Sequence, residues 1–197
     1  MLSKIKGFVG QLCRFYRHYI KDYHNSEFGF LDKSATIISP LNISGINNVY
    51  LYENTGINNA IILATNAKFI MKNHSGAANG LLVITGNHER RIGRFYRTIT
   101  EKEKSKNLDK DVIVEEDCWL GARVTLLSGV IVRRGTTVAA GAVVTKSTAP
   151  YSIVGGVPAR HIKFYWSIEE IIEHESILYP EEERLTREQL EFFFKMY

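Results

Sequence analysis

A period of six residues runs through the second half of the chain, and it narrows the possible folds more than any other feature. Aliphatic residues recur at every sixth position: Val114, Leu120, Leu126, Val132, Val138 and Val144. An amphipathic helix would repeat its apolar face every 3.6 residues, and a half-buried strand every two. A strict period of six instead predicts a solenoid with flat sides of six residues, three of which close a coil of about 18 residues.

Small residues support the same interpretation. Gly129, Gly135 and Gly141 are also six residues apart, and glycine allows the tight turns that the corners of a solenoid need. Stacked coils would place parallel strands about 4.8 Å apart, with the aliphatic side chains in ladders inside the solenoid. We therefore expect a mainly β protein built as a parallel β-helix.

The same period continues upstream with two shifts of register. Its three runs are Leu31, Ile37, Ile43 and Val49, then Leu51, Ile57, Leu63 and Phe69, then Met71, Ala77 and Val83. Residues 89–111 do not follow it and carry four arginines, four lysines and five acidic residues. Without that stretch, residues 31–148 make about five coils. A segment that interrupts the repeat without destroying it is expected to project as a loop.

The two ends of the chain differ from the repeat. Residues 1–23 have apolar positions at helical spacing, interrupted by lysines and arginines, which predicts a helical arm and not a membrane span or signal peptide. Ser167 with Glu170, and Thr186 with Gln189, are capping boxes that predict two C-terminal helices covering the open end of the solenoid. The expected division is an arm at 1–30, a β-helix at 31–163 and a helical segment at 164–197.

Composition excludes several classes of protein. The chain has 197 residues, which suits one domain with appendages, and only two cysteines, too few for a disulfide framework. We expect a reduced, cytoplasmic protein. A net charge of +4 is compatible with phosphate-bearing small molecules and gives little support for nucleic-acid binding. Motifs for nucleotide hydrolysis, hydride transfer and zinc proteolysis do not occur in the sequence.

Residues 117–163, DCWLGARVTLLSGVIVRRGTTVAAGAVVTKSTAPYSIVGGVPARHIK, resemble the hexapeptide-repeat acyltransferases. The resemblance is to the sugar O-acetyltransferase branch with the maltose, galactoside and nodulation-factor enzymes, which shares the layout of TGNH at 85–88, a loop, and KDVIVEEDCWLG at 110–121. It covers about residues 35–165 and implies a left-handed parallel β-helix that forms a homotrimer with sites at the subunit interfaces. The sequence departs from the pattern at Glu89, where proline often follows the histidine, and at Arg133-Arg134, where an acidic pair is common.

His88 is the best candidate for a catalytic group. It stands where the repeat stops and the charged loop begins, and imidazole is suited to removing a proton from a hydroxyl near neutral pH. The resemblance implies the same role, and it implies an asparagine that holds the sugar, either Asn58 or Asn59; Asn87 is a further substrate-binding candidate. His74 is interpreted mainly as a corner residue that also borders the acceptor pocket. Cys118 is interpreted as a buried structural thiol.

For the acyl donor, the resemblance implies acetyl-CoA in a groove between neighbouring solenoids, with no metal required. Trp119, Ala122 and Ala140 match the positions that contact pantetheine in the family. Thr145, Arg160 and Lys163 match the positions at the adenine and phosphate end, where the arginine and lysine offer positive charge. Small alanines would leave room for the narrow pantetheine arm.

These observations predict an acetyl-CoA-dependent O-acetyltransferase that acts on a saccharide or a sugar-linked intermediate by direct transfer, with His88 as the general base. An N-acetyltransferase for an amino sugar or an antibiotic is the alternative within the fold. Alternatives of another class are a non-catalytic β-helix scaffold and a membrane-surface module that uses the basic N-terminal arm.

Overall fold

The computed structural model describes residues 25–197 together with Leu12, Tyr16 and Tyr23. The rest of the predicted N-terminal arm, including Cys13, lies outside the described residues. The described residues form three sheets along the faces of a solenoid. Sheet A contains β1 (Phe30–Leu31), β4 (Val49–Leu51), β7 (Phe69–Met71), β10 (Val112–Val114) and β13 (Ile131–Val132). Sheet B contains β2 (Thr36–Ile38), β5 (Gly56–Asn58), β8 (Gly76–Ala77), β11 (Trp119–Leu120), β14 (Thr137–Val138), β16 (Ser152–Gly155) and β17 (Arg160–Phe164). Sheet C contains β3 (Asn42–Ser44), β6 (Ile61–Leu63), β9 (Leu82–Ile84), β12 (Thr125–Leu126) and β15 (Val143–Val144).

The pairing of the strands confirms the solenoid. All pairs are parallel except β16 with β17. Val114 lies opposite Val132, eighteen residues later, as the period of six predicts. The upstream coils are slightly longer, since Leu51 pairs with Met71, twenty residues later. Five coils are complete and β16 begins a sixth, an arrangement consistent with a left-handed β-helix.

The predicted ladders form the core. All six aliphatic residues from Val114 to Val144 are buried, as are Leu51, Ile57, Phe69, Met71, Ala77 and Val83. Leu63 was expected to point inward, but it is 38% exposed, and Ile62 is fully buried in its place. The upstream coils contain extra residues at their corners, so a strict period of six places some side chains of β6 on the wrong face.

The corners turn through left-handed backbone conformations. Gly135 and Gly141 have φ of +68° and +72°, as expected for glycines that recur at solenoid corners. Equivalent corners elsewhere are occupied by Asn54, His74 and Asp117, which have φ between +51° and +61°. Asparagine, aspartate and histidine adopt this region more readily than other residues with a side chain, so these corners need no glycine.

The charged stretch leaves the solenoid as a loop. Strand β9 ends at Ile84 and β10 begins at Val112, so the loop starts at the corner between sheet C and sheet A. It contains one turn of 3₁₀ helix, Tyr96–Thr98. The coil that follows the loop keeps the strand register of the solenoid, as the pairing of Ile113 with Ile70 of the preceding coil shows.

Two helices follow the solenoid, α1 (Ile168–Leu178) and α2 (Arg187–Met196). Both predicted capping boxes are present, at Ser167 with Glu170 and at Thr186 with Gln189. Strand β17 covers the edge of β16, and the helices pack Ile171 and Leu190 against Tyr151 of the last coil. Neither helix is long and apolar enough to cross a bilayer, and the same holds throughout the described part of the chain.

Candidate active site

His88 lies just after β9, at the corner where the charged loop begins. Its side chain is exposed, and its backbone N–H donates a 3.2 Å hydrogen bond to Oδ1 of Asn87. Its ring meets the ring of Tyr96 edge to face, with 5.4 Å between the centroids. The residue therefore has a placed backbone and an imidazole that an acceptor can reach, which is the arrangement that a general base requires.

A pocket of about 490 Å³ opens beside His88. Leu63 and Ile84 provide an apolar wall from two adjacent strands of sheet C. The other lining residues are mostly polar and come from the corner and the loop: Thr65, Asn66, Gly86, Asn87, Glu101 and Lys104. The pocket is thus formed jointly by the solenoid and the loop, and the arginines of the loop are not among its lining residues.

The polar wall of this pocket is a connected network. Lys104 Nζ lies 2.7 Å from Asp109 Oδ2, and Asn66 Nδ2 donates to Asp109 at 3.0 Å and to Glu101 at 3.1 Å. Partial burial opposes ionisation of Asp109, but the hydrogen bonds from Lys104, Asn66 and a backbone N–H outweigh it and lower the pKa of the carboxyl. Glu101 and Lys104, the two oppositely charged side chains that line the pocket, balance each other in charge.

The arginines of the loop brace the loop itself. Arg91 Nε donates to Glu89 at 2.9 Å, and Arg94 Nη1 donates to Glu103 at 2.6 Å. Arg90 lies over the ring of Tyr96, 5.0 Å from its centroid. These contacts fix the loop beside His88.

Two of the predicted donor residues, Ala122 and Ala140, lie along a different edge of the solenoid, the corner between sheets B and C. Backbone hydrogen bonds stack this corner from coil to coil: Gly80 N–H donates to Asn58 O, and Gly141 N–H donates to Ala122 O. Ala140 belongs to the same corner, and a Cβ at Gly121 would stand 2.6 Å from its nitrogen, so only glycine fits there. Three of the predicted residues, Asn58, Ala122 and Ala140, are therefore brought to one edge.

The other donor candidates lie outside this corner, on sheet B for Trp119, Arg160 and Lys163 and at the far edge of sheet C for Thr145. Trp119 is 54% exposed on the outer face of sheet B, with its ring over Gly76. Thr145 follows β15 and is exposed, while Arg160 and Lys163 are exposed on β17. A second pocket, of about 290 Å³, lies at Arg160 and also contacts Lys146, Ser147 and His161. Arg160 and Lys146, the two basic side chains that line this pocket, can hold phosphate groups.

The structure does not bring every acceptor candidate to His88. Asn58 lies at the donor corner, and His74 lies at the third corner, between sheets A and B, with Nδ1 3.4 Å from Nδ2 of Asn54. Neither lines the pocket beside His88, whereas Asn87 does. His74 has φ of +61°, which agrees with its interpretation as a corner residue.

Cys118 is a structural thiol, as predicted. It is buried, and its sulfur lies 3.1 Å from the carbonyl oxygen of Arg133. Burial raises the pKa of this thiol, which removes the thiolate that a nucleophile would need. Within the described residues, no group of three or more histidine, cysteine or acidic side chains is placed to hold a metal ion.

The chain is similar in sequence to known acetyltransferases. Residues 111–146 match the family model described as the hexapeptide repeat of succinyl-transferase. A probable macrolide acetyltransferase of Lysinibacillus sphaericus is 33% identical over 109 residues, which are 55% of this chain and 59% of that protein. A chloramphenicol acetyltransferase of Escherichia coli is 31% identical over 49% of this chain and 50% of that protein. The chain thus spans 59% of the length of the first relative and 50% of the length of the second.

Solved structures share the fold. A maltose O-acetyltransferase from Clostridium difficile 630 superposes with a TM-score of 0.61 at 20% identity, over 84% of this chain and 89% of that one. A hexapeptide-repeat acetyltransferase from Vibrio cholerae, complexed with acetyl coenzyme A, superposes with a TM-score of 0.64 at 22% identity, over 80% and 85%. These likenesses confirm the β-helix fold that the sequence predicts.

Proposed function

We propose that this hexapeptide-repeat protein is an acetyltransferase that transfers an acetyl group from acetyl-CoA directly to a hydroxyl of a saccharide or sugar-linked acceptor. The observation that carries the proposal is the placement of His88, whose exposed imidazole stands at a pocket formed by sheet C and the charged loop. The acetyltransferases of similar sequence and the acetyl-CoA complex of the same fold support the reaction class and the donor.

In this reaction His88 accepts the proton of the acceptor hydroxyl as its oxygen attacks the thioester carbonyl. The new C–O bond forms and the C–S bond breaks. The CoA thiolate is a good leaving group because an ordinary thiol has a pKa of about 8.5, and it takes up the proton from His88. A backbone N–H at the edge of a coil stabilises the oxyanion. Trp119, Ala122 and Ala140 hold the pantetheine arm, and Thr145, Arg160 and Lys163 hold the nucleotide end.

We also propose that the protein is a homotrimer with shared sites. His88 and the donor corner stand at opposite edges of sheet C, so one chain does not bring them together. The outer face of sheet C is apolar near the pocket, with Ile61 42% exposed and Leu63 38% exposed. The side chains of Ile92 and Phe95 are also exposed, on the loop. A second copy on this face would cover apolar surface and bring its donor corner to His88.

A second candidate acceptor is an antibiotic. The apolar wall of Leu63 and Ile84 fits a ring-bearing molecule with much carbon surface, and the relatives named for macrolide and chloramphenicol acetylation point the same way. An amine acceptor, which would make the protein an N-acetyltransferase, needs less help from a base, so its turnover would depend less on His88.

The test is an acetyl-CoA turnover screen against sugars, nucleotide sugars, lipid-linked saccharides and antibiotics, with His88→Ala as the variant. For a hydroxyl acceptor we expect kcat to fall by about 10²–10⁴-fold while acetyl-CoA affinity is kept, because the proton moves only in the transition state. Near-normal kcat in a folded His88→Ala protein would reject His88 as the base. Absence of CoA binding in calorimetry would instead favour the scaffold alternative.

Two further expectations remain proposals. Cytoplasmic location follows from the use of acetyl-CoA and the absence of a disulfide framework. Weak membrane association through the N-terminal arm rests on its basic, apolar sequence pattern, most of which lies outside the described residues. Vesicle sedimentation with and without residues 1–23 tests the second expectation.

A further inference from the structure

Asp109 lies at the end of the loop, and its carboxylate faces the segment that carries His88. Oδ1 of Asp109 accepts the backbone N–H of Asn87 at 2.7 Å. Asn87 in turn accepts the backbone N–H of His88 through its own Oδ1. Gly86 passes close to the same carboxylate, since a Cβ there would lie 3.5 Å from Oδ1 of Asp109. Oδ1 of Asp109 therefore holds the backbone of Asn87 directly and the backbone of His88 through the Asn87 side chain.

The other oxygen of Asp109 is held by two different parts of the chain. Oδ2 accepts hydrogen bonds from Lys104 Nζ of the loop at 2.7 Å and from Asn66 Nδ2 of the solenoid corner at 3.0 Å. The side chains of Asp109 and Lys104 are only 9% and 10% exposed, so this ion pair is screened little by solvent. The position of Asp109 is thus fixed by the solenoid and the loop together.

We propose that Asp109 is a positioning residue that holds the His88 backbone at the geometry needed for proton transfer. The inference rests on the proposed function, because it concerns the same reaction. Two residues before Asn87, the Thr85 hydroxyl lies 3.2 Å from the carbonyl oxygens of both Leu63 and Ala67, which fixes the position of Thr85. Beyond Thr85, the contact with Asp109 is what ties the backbone of Asn87 to the fold. Movement of about 1 Å at a catalytic group costs on the order of 10²-fold in rate.

The test compares Asp109→Ala with Asp109→Asn and with Asp111→Ala as the matched control. Asp111 also accepts one backbone N–H at 2.7 Å, that of Lys68, but it does not touch the His88 segment. We expect Asp109→Ala to lower kcat by about 10–10²-fold with acetyl-CoA affinity unchanged. Asp109→Asn keeps an oxygen for the Asn87 N–H and should retain more activity, and Asp111→Ala should stay within about twofold of wild type. An equal loss in the Asp109→Ala and Asp111→Ala variants would overturn the proposal.

A double variant separates positioning from general damage. If Asp109 acts through His88, Asp109→Ala should cause no further loss of kcat in a His88→Ala background, because residues that act as one unit are not additive. A further tenfold loss in that background would show that Asp109 acts in another way, and the positioning role would be wrong.

A readout without turnover keeps this inference distinct from the proposed function. Amide hydrogen exchange of Asn87 and His88 should become faster in Asp109→Ala and remain unchanged in Asp111→Ala, since exchange reports local opening. If the wild type acetylates no acceptor but exchange follows this pattern, the proposed function is wrong, while the contact between Asp109 and the His88 segment is confirmed. If exchange at these amides is the same in wild type and Asp109→Ala, Asp109 does not hold the His88 segment and the positioning role is rejected.

Discussion

The Tyr151 hydroxyl donates a 2.9 Å hydrogen bond to Glu175, and both side chains are buried. Glu175 belongs to α1, and Tyr151 belongs to the last coil of the solenoid. The same carboxylate accepts hydrogen bonds from Arg134 Nη1 at 3.3 Å and from the backbone N–H of Leu185. A buried carboxylate is stable only when donors surround it, so this contact joins the C-terminal helices to the solenoid.

Removing the hydroxyl should weaken this junction. In Tyr151→Phe the ring stays and one donor to a buried charge is lost. We expect the free energy of unfolding to fall by about 1–3 kcal/mol, the usual cost of losing a hydrogen bond to a charged group. Chemical denaturation measures the change. Tyr165→Phe is the control, because Tyr165 is exposed, and it should change stability by less than about 0.5 kcal/mol. Equal losses in the two variants would contradict this account.

Gly135 and Gly141 should tolerate alanine to different extents. Both have positive φ, so an alanine at either position costs about 1–2 kcal/mol from the backbone alone. At Gly135 the new Cβ would stand 2.3 Å from Cδ1 of Tyr151, whereas at Gly141 no atom lies within 4 Å. Gly135→Ala should therefore cost about 1–3 kcal/mol more than Gly141→Ala, because the Tyr151 ring must move. Denaturant titration of the pair isolates this steric cost, and equal costs would show that the ring is not fixed.

The solenoid could be predicted because each coil repeats the same physical requirement. The six aliphatic positions that recur every six residues from Val114 to Val144 must fill the interior, and every one of them is buried. The prediction for the upstream half is less accurate. Its coils are about twenty residues long, and no sequence signal marks the corners at which the extra residues lie. A strict period of six therefore predicts Leu63 inside the solenoid, whereas the side chain is exposed and lines the pocket beside His88. The helix ends were predictable because capping boxes are local signals.

The site was predicted only in part. The sequence singles out His88 as a candidate because it marks the point where the repeat stops, but Asp109 and Lys104 sit in a run of charges that resembles a solvated loop. Asn66 and Asn87, which donate hydrogen bonds to Asp109, are 43 and 22 residues from it in sequence, and no periodic signal links such distances. In the sequence, Arg134 stands out only as a departure from a family pattern. Its partners Glu116 and Glu175, and the ring of Tyr179 at 4.0 Å, show that it anchors the C-terminal helices.

The loop should lose order at acid pH through Glu103. Hydrogen bonds from Arg94, and from the N–H and hydroxyl of Thr100, lower the pKa of Glu103 from 4.5 to about 2. Because the folded pKa is below the unfolded one, the stabilisation is present above pH 4.5 and is lost as the pH falls towards 2. The amide exchange of Thr100, corrected for intrinsic rate, should rise over this window in wild type. In Glu103→Ala, which has no acceptor for the Thr100 N–H, it should be fast throughout, and a flat profile in wild type would contradict the role of Glu103.

A mixed trimer tests whether His88 and the donor corner of different chains form one site. Chains with His88→Ala and chains with Trp119→Ala should each give nearly inactive homotrimers. In trimers assembled at random from equal amounts of both, about a quarter of the interfaces would pair an intact His88 with an intact Trp119. Co-expression should therefore restore about a quarter of wild-type activity, measured per chain with the acceptor found in the screen. The control mixes His88→Ala with the double variant His88→Ala/Trp119→Ala, which leaves no complete interface and should stay inactive. Recovery in neither mixture would mean that each chain builds its own site, because only a shared site lets two defective chains correct each other.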